Sequence, residues 1–283
     1  MSAFELNLFD LQQGKRLLDR YTIDNALPHG PLSARFRVLE DGGRASELEV
    51  FTAGLFEGRG QAMFFCERLQ AFADCEADFH VATRHLAVSE RGDVLRFCDE
   101  ASGTCLRTRL EEGRRLHRDE AIRLGVAMLR ALMPLHSAGF CHGDIKPSTL
   151  YWDGEEVRAT QGGVTPALWR AQHMGARTTL IGTPYYAPLE QFGGESPDSG
   201  SDVYATGTVL YEALCGALPW SGRGFIEVFQ SKMKDNPPPI ESRASNLNVG
   251  GDLEEIVRKA IRARREDRYV NAHAMLDALT ALQ

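Results

Sequence analysis

The chain of 283 residues has no run that approaches the ~18 apolar residues a membrane-spanning helix requires. It has no basic excess: 32 Lys+Arg stand against 39 Asp+Glu, for a formal net charge of −7. Nothing in that balance attracts nucleic acid or an anionic membrane, so neither is expected as a partner. Its six cysteines form no CxxC pair, and no histidines stand at zinc-ligand spacing, so no metal site is expected. Cys66, Cys75, Cys98, Cys105, Cys141 and Cys215 are expected as buried or half-buried thiols in a reducing cytoplasm. Met1 to Leu11 carries Glu5 and Asp10 and no basic leader, which argues against a signal peptide. No lysine stands between Lys15 and Lys146, and no aspartate between Asp153 and Asp198.

What is present is an ordinary globular composition, 43% apolar and 25% charged, long enough for one large domain or two lobes. The first third alternates in short strands. Arg35 to Glu40 and Glu47 to Phe51 flank a turn at Asp41-Gly42-Gly43 and predict a hairpin. Gln61 to Asp74 predicts a helix, and His80 to Ser89 and Asp93 to Cys98 predict two more strands. From about residue 103 the pattern turns helical. Arg118 to His136 presents a wide apolar face, and Ser201 to Cys215, Leu253 to Arg264 and Asn271 to Leu282 follow.

Five segments punctuate this second part. His142-Gly143-Asp144-Ile145-Lys146-Pro147 follows the long helix directly. Gly182-Thr183-Pro184-Tyr185-Tyr186-Ala187-Pro188-Leu189-Glu190-Gln191 comes next, then Ser201-Asp202-Val203-Tyr204-Ala205-Thr206-Gly207. Leu218-Pro219-Trp220 and Arg265-Glu266-Asp267-Arg268-Tyr269 close the series. In order and spacing these resemble the helical lobe of protein Ser/Thr kinases, especially the eukaryotic-like kinases of bacteria, over about residues 18–283. The HGD triplet also occurs in aminoglycoside- and choline-kinase-like phosphotransferases, but the second and third segments point to protein kinases.

The resemblance implies roles residue by residue. Asp144 stands at the catalytic base and Lys146 two residues beyond it. Glu190 and Arg268 match a structural ion pair, and Asp202 matches the aspartate that braces the catalytic loop. Glu67, on the predicted 61–74 helix, matches the glutamate that orients a strand lysine.

The phosphate and metal positions depart from the pattern. Of a GxGxxGxV loop only Gly30 is present, between Pro28 and Pro31, which have no N–H to offer a phosphate. Glu49 stands where the lysine belongs, with Glu47 on the same strand face. If that face meets a triphosphate, each close like-charge contact costs on the order of a few kcal/mol. Thr149 replaces the metal-binding asparagine, Gln161 replaces the DFG aspartate, and Gly143 replaces the arginine before the catalytic base. Mg²⁺ beside phosphates prefers carboxylates to such neutral ligands.

The fold expected is α+β and bilobal: an N-terminal extension (1–17), a small β-rich lobe (18–102) and a larger α-helical lobe (103–283). The function expected is that of a pseudokinase, a scaffold or allosteric regulator that binds a protein partner and little or no ATP or Mg²⁺. One alternative is residual transfer through Asp144 with Arg35, Arg37 or Arg44 in place of the lysine. Another is a kinase substrate or decoy, in which Thr165, Thr178 or Thr179 on a loop from Val164 to Leu180 is phosphorylated.

Overall fold

The computed structural model describes residues 4–75, 77–172, 183–234, 236–243, 247 and 249–283. The chain divides into two compact units. The first comprises residues 1–74, 81–101 and 170–175, and the second comprises 75–80, 102–169 and 176–283.

The first unit is an antiparallel six-stranded sheet of order β1-β2-β3-β4-β6-β5 with one long helix. Its elements are β1 (Arg16–Leu17), β2 (Tyr21–Leu27), β3 (Ala34–Glu40), β4 (Ala45–Phe51), α1 (Arg59–Ala73), β5 (Thr83–Val88) and β6 (Val94–Asp99). The expected hairpin is β3–β4, with Arg35 opposite Glu49 and Arg37 opposite Glu47. Strand β2 is additional. A register shift between Ile23 and Asn25 breaks its alternation, which hides it from a period-two search.

One sheet face is apolar. Tyr21, Ile23, Val38, Leu48, Val50, Leu95 and Phe97 form its core, with the Tyr21 and Phe97 rings stacked at 3.8 Å. Leu6 and Leu17 are buried in the same cluster, and Phe4, Leu11 and Leu18 pack against it. Phe4, Leu6, Leu11 and Leu17 therefore pack with the β-rich unit, because the sheet's apolar face needs a cover. The opposite side of β4 carries Phe51, which meets Phe65 of α1 edge-on at 5.1 Å, so these aromatics are core of the first unit.

Glu47 and Glu49 lie on that same side of β4 and are not bare carboxylates. Arg35 Nε donates to Glu47 at 2.6 Å, and Arg96 on β6 lies 3.4 Å from Glu49. Arg96 is 0% exposed and Glu49 2%, and Arg96 Nε also donates to Thr83 Oγ1 at 2.9 Å.

The second unit is mainly helical. After β7 (Thr104–Cys105) and α2 (Leu106–Glu111) comes α3 (Arg118–Ser137). Then follow β8 (Leu150–Trp152), β9 (Val157–Ala159), α4 (Val164–Gln172), whose last three residues belong to the first unit, and α5 (Leu189–Phe192). It ends with α6 (Ser199–Cys215), α7 (Phe225–Lys232), α8 (Gly251–Ala260) and α9 (Ala272–Thr280). Helix α6 is buried from Ser201 to Cys215 and forms the centre, with α3, α8 and α9 packed around it. Gly207 lets α8 approach, since a Cβ there would stand 2.6 Å from Ala260 Cβ. Among the described residues no helix is long and apolar enough to cross a membrane.

The expected loop from Val164 is instead helix α4 as far as Gln172, because Val164, Thr165, Ala167, Leu168 and Ala171 give it buried sides. Thr165 is buried, which removes it as an accessible phosphorylation site. Thr178 and Thr179 lie outside the described residues.

Glu49→Ala strands a buried guanidinium and should cost about 3–5 kcal/mol in chemical denaturation. The double variant Glu49→Leu/Arg96→Met should cost clearly less than that single one, since no lone charge then stays buried.

Candidate functional site

Asp202, near the N-terminus of α6, organises the loop that follows α3. Its carboxylate is buried and accepts the backbone N–H groups of His142 and Gly143, both at 2.8 Å, with His136 Nε2 at 2.9 Å. The His142 ring is itself buried. Its Nε2 faces the Thr160 carbonyl at 3.0 Å, so that nitrogen carries the proton, and Nδ1 accepts from Asp144 N at 3.3 Å. Burial lowers the His142 pKa, against smaller opposing effects of Asp202 and Asp144.

Asp144 and Lys146 are brought together. The Lys146 ammonium contacts Asp144 Oδ2 and donates to Thr183 Oγ1 at 2.9 Å, while Thr183 N donates to Asp144 Oδ1 at 3.2 Å. Both carboxylate oxygens of Asp144 are therefore engaged by neighbours. Thr149 is buried, and its hydroxyl lies 3.3 Å from the Asp144 carbonyl and 3.0 Å from that of Lys146. Its Oγ1 also accepts from Lys146 N at 3.2 Å, so the side chain is committed to holding the loop. Gln161 follows β9 with φ +62°, and Gly163 N donates back to the His142 carbonyl at 3.0 Å.

Gly143 has φ +81°, and a Cβ there would stand 2.5 Å from Pro166 Cδ and 3.3 Å from Pro197 Cβ. Helix α4 thus occupies the space into which a side chain at 143 would project. Trp169 on the same helix is half-buried, and its indole N–H donates to the Gly194 carbonyl at 3.0 Å.

Glu190 and Arg268 pair bidentately at 2.6 and 3.0 Å, and Arg268 also donates to the Arg262 and Ala263 carbonyls, both at 2.7 Å. Lys232 is a further organising residue that carried no signal in the sequence. It is fully buried in α7 and donates to the carbonyls of Tyr185 at 2.9 Å and Ala187 at 2.7 Å, and to Tyr204 Oη at 3.0 Å. Burial holds its pKa well below the usual lysine value.

In the first unit, Gly30 lies between β2 and β3 with open space around it: a Cβ would meet nothing within 4 Å, and its φ is not in the left-handed region. Nothing in the backbone there demands glycine. Glu67 on α1 is exposed. Arg35 is held by Glu47, Arg37 by Asp24 and Glu100 at 2.7 Å each, and Arg44 by Asp99.

The family model for the protein kinase domain matches residues 77–278, so strands β1 to β4 and α1 fall outside the matched stretch. The chain is 32% identical over 157 residues to the serine/threonine-protein kinase PknB of Mycobacterium leprae, covering 55% of this chain and 25% of that protein. It is 28% identical over 278 residues to the probable serine/threonine-protein kinase PknB of Lactococcus lactis, covering 94% of this chain and 42% of that protein. The chain thus spans less than half the length of these two curated relatives. The crystal structure of the Mycobacterium tuberculosis PknI kinase domain superposes with a TM-score of 0.71 at 16% identity, over 96% of this chain and 99% of that one, which concerns the fold alone.

Gly143→Arg should destabilise the protein by several kcal/mol, since it combines a positive φ with a collision against Pro166, and the loss would be read from denaturant titration. Acid should destabilise the protein through His142. The unfolded ring takes up a proton below its ordinary 6.5 while the buried ring stays neutral, so stability falls as pH drops through that value. The slope approaches about 1.4 kcal/mol per pH unit, and His142→Gln, which keeps a donor facing Thr160, should lack that component.

Proposed function

The chain belongs to the protein kinase domain family, and we propose that within it this domain is a pseudokinase. It works by binding a protein partner and does not transfer phosphate from ATP.

The observation that carries this reading is the charge inversion on β4. Where the family resemblance places a phosphate-binding lysine stands Glu49, buried and paired with Arg96. Phosphoryl transfer depends almost wholly on positioned charge. A triphosphate beside Glu47 and Glu49 meets two carboxylates whose counter-ions already hold them. Arg96 cannot stand in for the lysine, because it is fully buried and bound to Glu49 and Thr83. The arginines named as substitutes, Arg35, Arg37 and Arg44, are each occupied by an acidic neighbour.

The donor set for a metal is equally poor. Thr149 spends its hydroxyl within the loop, and Gln161 offers only neutral atoms. The residues present therefore do not fit Mg²⁺–ATP, and no catalytic step is assigned to Asp144. Its contacts with Thr183 N and Lys146 give it a loop-bracing role instead.

The test is thermal melting and calorimetric titration with ATP, with and without Mg²⁺. A ligand at 100 times its Kd stabilises a protein by ~2.7 kcal/mol, which moves a melting temperature by several degrees. No shift at about 1 mM ATP, where a Kd of about 10 μM gives that effect, is the expected outcome. A metal-dependent shift of that size would overturn the proposal and return Asp144 to a catalytic role.

A further inference from the structure

Away from the catalytic-loop region, the second unit carries a groove of about 490 Å³ beside α3, within the ~300–1,000 Å³ range of ligand sites. One wall is α3 itself. Arg123 and Arg130 line it, seven residues and thus ~10.5 Å apart on one helix face. Both are exposed, and among the described residues neither enters an ion pair. Val126, Ala127 and Ala131 lie between and beside them, so no charged or aromatic side chain stands between the two cations. Pro134, at the end of this stripe, lies inside the helix and has no N–H.

The other wall is the β8–β9 turn and the residues near it. Its acids are partly compensated. Arg158 lies 3.1 Å from Glu156 and 3.9 Å from Asp78. Glu155, at the exposed tip, has no cation. Charge is thus segregated across the groove, with the partnerless cations along α3.

We propose that this groove docks an extended acidic segment of a partner protein. A segment in polyproline II conformation makes one turn in three residues and advances ~9.3 Å, so carboxylates at positions i and i+3 share one face and would reach Arg123 and Arg130 together. The residues between them would be uncharged and lie over Val126, Ala127 and Ala131. The proposal rests on the reading of this chain as a partner-binding domain, and it adds where the partner is held and by what chemistry.

The experiment is fluorescence anisotropy of the full chain with a labelled peptide carrying two glutamates three residues apart and no other charge, at about 50 mM salt to limit screening. Saturable binding is expected, weakened about tenfold or more in Arg123→Ala/Arg130→Ala, since two charge-assisted contacts are lost. Those side chains are exposed, so the melting temperature should not change. Ala131→Trp fills the groove while keeping both charges, and it should block the peptide equally. Moving the glutamates to adjacent positions should weaken binding. Absence of saturable binding, an unchanged affinity in either variant, or equal displacement by inorganic phosphate would overturn the proposal. Titrating ATP into the same sample tests nucleotide binding separately, so failure of the groove and failure of the pseudokinase reading give different results.

Discussion

The buried carboxylate of Asp202 holds the backbone of the HGD segment in place. It takes two backbone N–H groups and the His136 ring, and these three donors repay the cost of removing the charge from water. With His142 and Gly143 anchored, the His142 ring can face Thr160, and the loop through Asp144, Lys146 and Thr149 closes on itself. Thr183 is then tied to Asp144 and Lys146, and the segment that follows is fixed by Lys232 and by the Glu190–Arg268 pair. The helical unit thus keeps its scaffold through buried polar contacts that are mutually satisfied.

Several residues at positions the family resemblance assigns to chemistry are engaged in structural contacts. On β4, carboxylates stand in the lysine region, and arginines on β3 and β6 have become their counter-ions. After β9, the chain coils into α4, and Pro166 fills the space beside Gly143.

Much of this was legible in the sequence. The HGD, GTPYYAP and SDVY segments pointed to the helical lobe, and in the structure Glu190 pairs with Arg268 while Asp202 takes the N–H groups of His142 and Gly143. Each segment is a short run whose residues and order can be read without knowledge of packing. The less legible parts were long-range. Strand β2 escaped because a bulge disrupts its alternation. Helix α4 escaped because the small residues of the stretch from Val164 to Leu180 suggested a loop, while its apolar positions acquire meaning only when buried on several sides. The first 17 residues resembled an extension because their scattered leucines show no period of their own.

The sequence by itself determined the family, the two-part α+β order and the absence of a lysine across the whole strand region, since each depends only on which residues occur and in what order. The tertiary structure alone decided what the substituted residues do. Whether Glu49 repels a phosphate or is neutralised depends on Arg96, 47 residues away in the chain and brought beside it only by the β4–β6 pairing. Whether Gly143 is free or enclosed depends on Pro166 and Pro197. The reason is physical: a charge or a small side chain takes its energy from what surrounds it in space, and that neighbourhood exists only once the chain has folded.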